Sequence, residues 1–155
     1  MSNVCTLSAP LLVANSILNR AFSEKKPISH LKLQKLIYFV YKRFLQETHL
    51  PLFDEYFEVW TYGPVLRSVY DAFKDYGSGS IGDYAYGDND KVFLISEKHA
   101  DFYEALDWVW KDYGSYDAFE LSDLTHRESS AWQKSKDADE LLIDDDLIMS
   151  EGWFR

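Results

Sequence analysis

LKLQKLIYFVYKRFLQ, residues 31–46, is the stretch around which the rest of the chain is organised. Leu33, Leu36, Ile37, Val40 and Phe44 recur at helical spacing and form one apolar stripe. Leu31, Tyr38, Tyr41 and Leu45 form a second row beside it, interrupted by Gln34. Lys32, Lys35, Lys42 and Gln46 fall on the remaining side, together with Phe39. A single stripe would suit a helix lying on a core. Two adjacent stripes predict a central helix covered from two sides, with a narrow wet edge carrying the lysines. Ser29, after Pro27, is the expected N-cap, because its hydroxyl can accept from a first-turn N–H.

The elements on either side follow from the same rules. A first helix is predicted over 8–23, with Ser8 at its cap and Pro10 in the first turn, where a missing N–H is tolerated. Phe57 and Val59 alternate with Glu58 and Trp60, a short strand pattern, and Gly63-Pro64 signals a turn. A third helix is expected from Pro64, bearing Val65, Val69, Ala72 and Phe73, and stopping at Gly77. Residues 77–91, GSGSIGDYAYGDNDK, read as an exposed, flexible loop. The apolar run 92–95 is a second strand, expected to pair antiparallel with 57–60. Ser96 should open a helix to Tyr113, followed by shorter helices over 116–126, from Ser129 or Ser130, and over 145–153 with Asp144 as its cap. The sequence thus predicts a mainly α fold, one domain over residues 1–155 packed around the central helix, with a small antiparallel β element.

The 155 residues are enough to bury a sizeable core, and 17% of them are aromatic. Such rings either fill a core or anchor an interface. The net charge of -10 is unevenly spread. Residues 1–50 carry 7 Lys/Arg against 2 Asp/Glu, and residues 51–155 carry 9 against 24. An acidic chain of this kind is not expected to bind nucleic acid, which requires cations to displace phosphate counterions. It suits a basic protein partner or simply a solvated face. The lone Cys5 excludes an internal disulfide and fits a reducing compartment. The first residues lack a signal-peptide pattern, and no apolar run is long enough to span a bilayer. A cytoplasmic protein without membrane association is expected.

Motifs for cofactors are missing. There is no CxxC, HExxH or phosphate-loop pattern, and His30, His49, His99 and His126 lie far apart, so neither cofactor nor metal is expected. Acid–base chemistry could reside in Thr125-His126-Arg127-Glu128, where a histidine stands near a carboxylate. The alternative is structural: Ser122 and Thr125 bonding local backbone, with the His126 ring closing a helix end. The second unusual cluster is Trp60-Thr61-Tyr62-Gly63-Pro64-Val65. It reads either as a tight turn with Trp60 plugging the core or as a groove wall with aromatic anchors.

Taken together and in order, KLQKLIYFVY at 32–41, PLFDEYFEVWTYGPV at 51–65 followed by Val69-Tyr70, and LSDLTHRESSAW at 121–132 resemble the Panacea antitoxin domain. The same domain is met in SocA-like and phage-associated GepA-like proteins. The resemblance spans roughly residues 8–154. It departs at Ala131, where the family usually has proline, and at Lys42-Arg43. It implies a mostly helical fold with a small sheet, and an antitoxin that neutralises a cognate toxin protein by binding it. In one branch of the family the antitoxin delivers its toxin to the ClpXP protease. No catalytic residues come with the resemblance. Trp60, Tyr62, Gly63, Pro64, His126, Glu128 and Trp132 carry over as motif positions serving the fold or toxin binding. Two readings from other classes stand beside it. One is a small hydrolase-like or nucleotide-handling enzyme using His126 and Glu128. The other is an acidic nucleic-acid mimic of phage origin.

Overall fold

The computed structural model describes residues 7–154; Cys5 and the N-terminal residues read above lie outside them. Seven α-helices and a two-stranded antiparallel sheet make up the described chain: α1 (Ala9–Ser23), α2 (His30–Thr48), β1 (Glu58–Trp60), β2 (Gly63–Val65), α3 (Arg67–Phe73), α4 (Ala100–Tyr113), α5 (Ala118–Thr125), α6 (Ala131–Asp137) and α7 (Asp145–Ser150). The fold is mainly α with a small antiparallel sheet, as the periodicities predict.

Helix α2 is the organising element. Ser29 caps it by accepting from Lys32 N–H at 3.2 Å, and His49 closes it in the left-handed region at φ 61°. Helices α1, α3, α4, α5 and α7 and strand β2 all pack on it. Leu33, Leu36, Ile37, Val40 and Phe44 of the first stripe and Tyr38, Tyr41 and Leu45 of the second are closed off from water, while Leu31 is half-buried.

The wet edge is where the expectation fails. Phe39, Lys35 and Lys42 are as buried as the leucines. The polar ends are accommodated because later segments supply acceptors. Pro64 O lies 2.8 Å from Lys35 Nζ, and Glu151 and Gly152 meet Lys42. Gln46 Nε2 donates to the carbonyls of Ile148, Met149 and Glu151, while its Oε1 accepts from Trp153 Nε1 at 2.8 Å. The segment after α7 is thereby strapped along the side expected to face water. Lysines buried this way keep their stems in the core and their heads on hydrogen-bond acceptors.

The sheet also differs in its second strand. β1 pairs with the immediately following β2, in the register Glu58↔Val65, Val59↔Pro64 and Trp60↔Gly63. Pro64 therefore sits in a strand, and α3 begins later, at Arg67. The apolar run 92–95 forms no strand; it lies along α1. Two side chains of α1 satisfy its backbone: Asn15 Nδ2 donates to Phe93 O at 3.1 Å, and Ser16 Oγ accepts from Ile95 N–H at 3.0 Å. Asn15 also exchanges two bonds with Ala85, so one buried amide does the work of a neighbouring strand. The loop 77–91 is exposed along much of its length, with Ile81 buried and Tyr84 set edge-on to Phe22 at 5.0 Å.

The remaining caps are local. Asp117 and Glu120 form a capping box at the start of α5, Ser130 caps α6 and Asp144 caps α7. Helix α4 starts at Ala100 rather than at Ser96, with His99 Nδ1 accepting from Phe102 N–H. Among the described residues no helix is long and apolar enough to cross a membrane.

Candidate functional site: the hairpin and its clamp

The hairpin β1–β2 turns over Thr61 and Tyr62, and its carbonyls are held by side chains from three different helices. Trp132 Nε1 donates to Trp60 O at 2.8 Å, His126 Nε2 meets Thr61 O at 2.8 Å, and Ser122 Oγ donates to Tyr62 O at 2.7 Å. Lys35 Nζ completes the set at Pro64 O. A tight turn ordinarily leaves such carbonyls to water. Here the carbonyls of Trp60, Thr61, Tyr62 and Pro64 each meet a side chain, so the hairpin is fixed in place and not merely docked. The 121–132 motif and the 60–65 motif thus hold one another, across some 60 residues of sequence.

Gly63 explains the closeness. Its φ of 112° lies where residues with a Cβ are strained, and a Cβ there would collide with Thr125 Oγ1 and press on Lys35 Cε. Glycine lets the strand backbone lie directly on α5 and α2. Lys35, fully buried and with no carboxylate partner among the described residues, has its ammonium pushed down to about 7 by loss of solvation.

His126 stands at the end of α5. Its Nδ1 is 2.6 Å from Ser122 O, and its ring centre is 4.0 Å from that of Trp132. Both nitrogens thus face backbone carbonyls; a neutral ring can donate to only one of them at a time. A general base needs a nitrogen directed at a substrate proton, and neither is so directed. Glu128 is exposed and makes no hydrogen bond or ion pair with His126. The pair read in sequence as an acid–base couple is not brought together. The structural alternative, a ring closing the helix end, is what the geometry contains. Thr125 bonds locally to Ser122 O at 2.6 Å, as that alternative has it, while Ser122 reaches outward to the hairpin instead.

An open groove of about 380 Å³ runs beside the hairpin, walled by His30, Gln34, Trp60, Tyr62, Val65 and Tyr70. Trp60 and Tyr70 are in ring contact at 4.7 Å, and His30 continues the wall 5.5 Å from Tyr70. Burial, and secondarily the charge of Lys35, holds His30 below the usual histidine range, so the ring lines the groove uncharged at neutral pH. Gln34 fixes the far wall by exchanging two bonds with the backbone of Leu66. The Arg67 guanidinium lies over Trp60 at 4.8 Å and pairs with Glu58, which also accepts from Trp60 Nε1. Tyr62 is 59% exposed at the rim.

Of the seven motif positions, Trp60, Gly63, Pro64, His126 and Trp132 build the clamp, Tyr62 projects from it, and Glu128 stands outside. Lys35, Gln34 and Ser122 belong to the same assembly, outside the motif positions. Their spacing in sequence carries no sign that each would reach a backbone group in the region of the hairpin. Among the described residues no group of three or more His, Cys, Asp or Glu side chains is placed to hold a metal ion.

The clamped pair of motifs falls wholly inside the region, residues 33–133, that matches the family described as Antitoxin SocA-like, Panacea domain. The chain belongs to the SocA-like Panacea family. It is 34% identical over 128 residues to Antitoxin SocA of Caulobacter vibrioides (strain NA1000 / CB15N), a match covering 77% of this chain and 66% of that protein. It thus spans just under two thirds of that relative's length. No solved structure matches the chain. The Panacea motifs thus have a physical reading as the two halves of a backbone clamp.

Proposed function

We propose that this protein is the antitoxin of a toxin–antitoxin pair, and that it neutralises a protein toxin in the cytoplasm by binding it stoichiometrically, without chemistry of its own. The observation that carries this reading is membership of an antitoxin family. The hairpin supports it: it is held rigid from behind while it turns Tyr62 and an aromatic groove outward. Rigid aromatic anchors beside a concave apolar wall are what protein interfaces use for affinity, because little side-chain entropy is lost on binding. The engagement of both His126 nitrogens with backbone speaks against the enzyme alternative.

The test is co-expression with the product of the adjacent gene, scored for growth rescue and co-purification. Tyr62→Ser removes an exposed ring that no internal hydrogen bond needs. We expect it to leave the fold intact and to weaken toxin binding at least tenfold. Rescue should require at least one antitoxin per toxin. Rescue at strongly substoichiometric antitoxin levels that disappears in cells lacking ClpXP would replace sequestration with delivery to the protease.

A further inference from the structure

A second surface lies on the opposite side of β1. Residues 141–143 run antiparallel to it: Leu141 O accepts from Val59 N–H at 2.9 Å, and Ile143 N–H donates to Phe57 O at 2.9 Å, around the bridge Glu58↔Leu142. In such a ladder the backbone groups of alternate residues point to opposite sides. Since 141 and 143 face β1, the N–H and C=O of Leu142 face away from it, and neither has a hydrogen-bond partner among the described residues. The sheet therefore has an unfilled outer edge.

The side chains at that edge are apolar. Leu141 is 81% exposed, Leu142 48% and Tyr56 54%. Two grooves, of about 560 and 470 Å³, meet at Tyr56 and Leu142. The first is walled in part by Glu140, Asp144 and Asp146, none of which has a cation partner among the described residues. The second adds Glu55, which accepts from Ser68 N–H, with Glu58 and Asp71 already paired to Arg67 and Lys74.

We propose that residues 141–143 form an open edge onto which a partner protein adds an extended segment alternating apolar residues with Lys or Arg. Backbone pairing with Leu142 would supply the register, Leu142 and Tyr56 would take the apolar residues, and the unneutralised carboxylates would take the cations. Charge decides among occupants. A second copy of this chain would set the same carboxylates against each other, and nucleic acid or an anionic membrane would be repelled. A cationic protein segment alone meets all three features. The surface is separate from the hairpin groove, and the inference stands whether or not that groove holds a toxin.

The test uses the whole protein and three synthetic nine-residue probes: alternating Val and Lys, alternating Ser and Lys, and alternating Val and Glu. Saturable binding of the Val/Lys peptide is expected, with amide exchange of Leu142 slowed at least tenfold. The Ser/Lys peptide should bind at least tenfold more weakly and the Val/Glu peptide not at all. The Glu140→Gln/Asp146→Asn variant, which keeps the apolar ridge, should lose at least fivefold in affinity for the Val/Lys peptide. Equal binding of the Ser/Lys peptide, protection that spares Leu142, indifference to the charge variant, or no binding would each overturn the proposal. Toxin rescue by the same variant is scored separately, so that failure of this edge and failure of the antitoxin reading remain distinct.

Discussion

Lys42 Nζ lies 2.6 Å from Glu151 Oε2, and both side chains are closed off from water. Glu151 is a junction as much as a counter-ion. Its other oxygen accepts from Ala131 N–H at 2.7 Å at the start of α6, and Tyr38 OH lies 3.3 Å from both oxygens. The Lys42 ammonium also sits 4.0 Å from the centre of the Trp153 ring. One carboxylate thus ties the central helix, α6 and the C-terminal strap together.

Glu151→Gln is expected to destabilise the protein by about 3–5 kcal/mol, because it leaves a buried ammonium without its counter-ion. That is a large share of the roughly 5–15 kcal/mol typical of a domain. Replacing both partners, Lys42→Met with Glu151→Met, should recover part of the loss by removing the stranded charge. Urea denaturation of the three proteins checks this; an unchanged midpoint for Glu151→Gln would show that the pair contributes nothing.

Lys35 makes a different prediction, one of pH. Burial pushes its ammonium down to about 7, whereas the unfolded chain keeps that proton to about pH 10. Between those values the unfolded state binds more protons, so this group makes stability rise with pH, by up to about 1.4 kcal/mol per unit. Below pH 7 the buried charge opposes folding in full. Lys35→Met lacks this titration. The wild type should gain about 2.7 kcal/mol relative to the variant between pH 6 and pH 9. A difference that stays constant across pH 6, 7.5 and 9 would rule the titration out.

These two lysines mark the limit of what the sequence discloses. The central helix, its cap at Ser29 and the stripe from Leu33 to Phe44 are legible because apolar periodicity reports burial directly. Lys35, Lys42 and Gln46 read as a wet edge, since a long cationic side chain at helical spacing normally reaches water. Only the positions of Pro64 O, Glu151 and the carbonyls after Ile148 reverse that, and these are set by tertiary packing. The second strand of the sheet is hidden for the same reason. The run 92–95 has strand composition, but Asn15 and Ser16 satisfy its backbone from a helix far away in sequence. Within the site, the motifs at 60–65 and 121–132 were visible as unusual, while their mutual clamping through three consecutive carbonyls was not. Hydrogen bonds to backbone leave little mark on residue type at the acceptor.

Gly63→Ala should be among the most damaging small substitutions in the chain. The added Cβ meets Thr125 Oγ1, and φ at 112° is strained for any residue that carries one. The expected loss is about 2–4 kcal/mol. Gly77, at φ 57° with open space around the Cβ position, provides the control. Alanine there should cost about 1–3 kcal/mol, from backbone strain without a collision. Adding Thr125→Ala to Gly63→Ala should restore part of the stability, because it removes the collision and leaves the backbone strain. Equal melting midpoints for the two glycine variants would mean that the hairpin can move off α5.

His126→Gln separates a clamp from a catalyst. The imidazole lies between Ser122 O and Thr61 O and packs against Trp132, whereas a glutamine amide can still donate to one carbonyl but gives up the ring contact. The imperfect replacement should cost about 0.5–1.5 kcal/mol of stability. Toxin neutralisation should then fall modestly or not at all, since the hairpin stays held by Trp132, Ser122 and Lys35. A catalytic base removed in this way would instead lower a rate by about 10²–10⁴-fold. Circular dichroism first establishes that the variant is folded, and toxin affinity and growth rescue are then measured side by side. If the folded variant keeps its affinity and loses all rescue, neutralisation is chemical and the enzyme reading of His126 takes the place of the binding one.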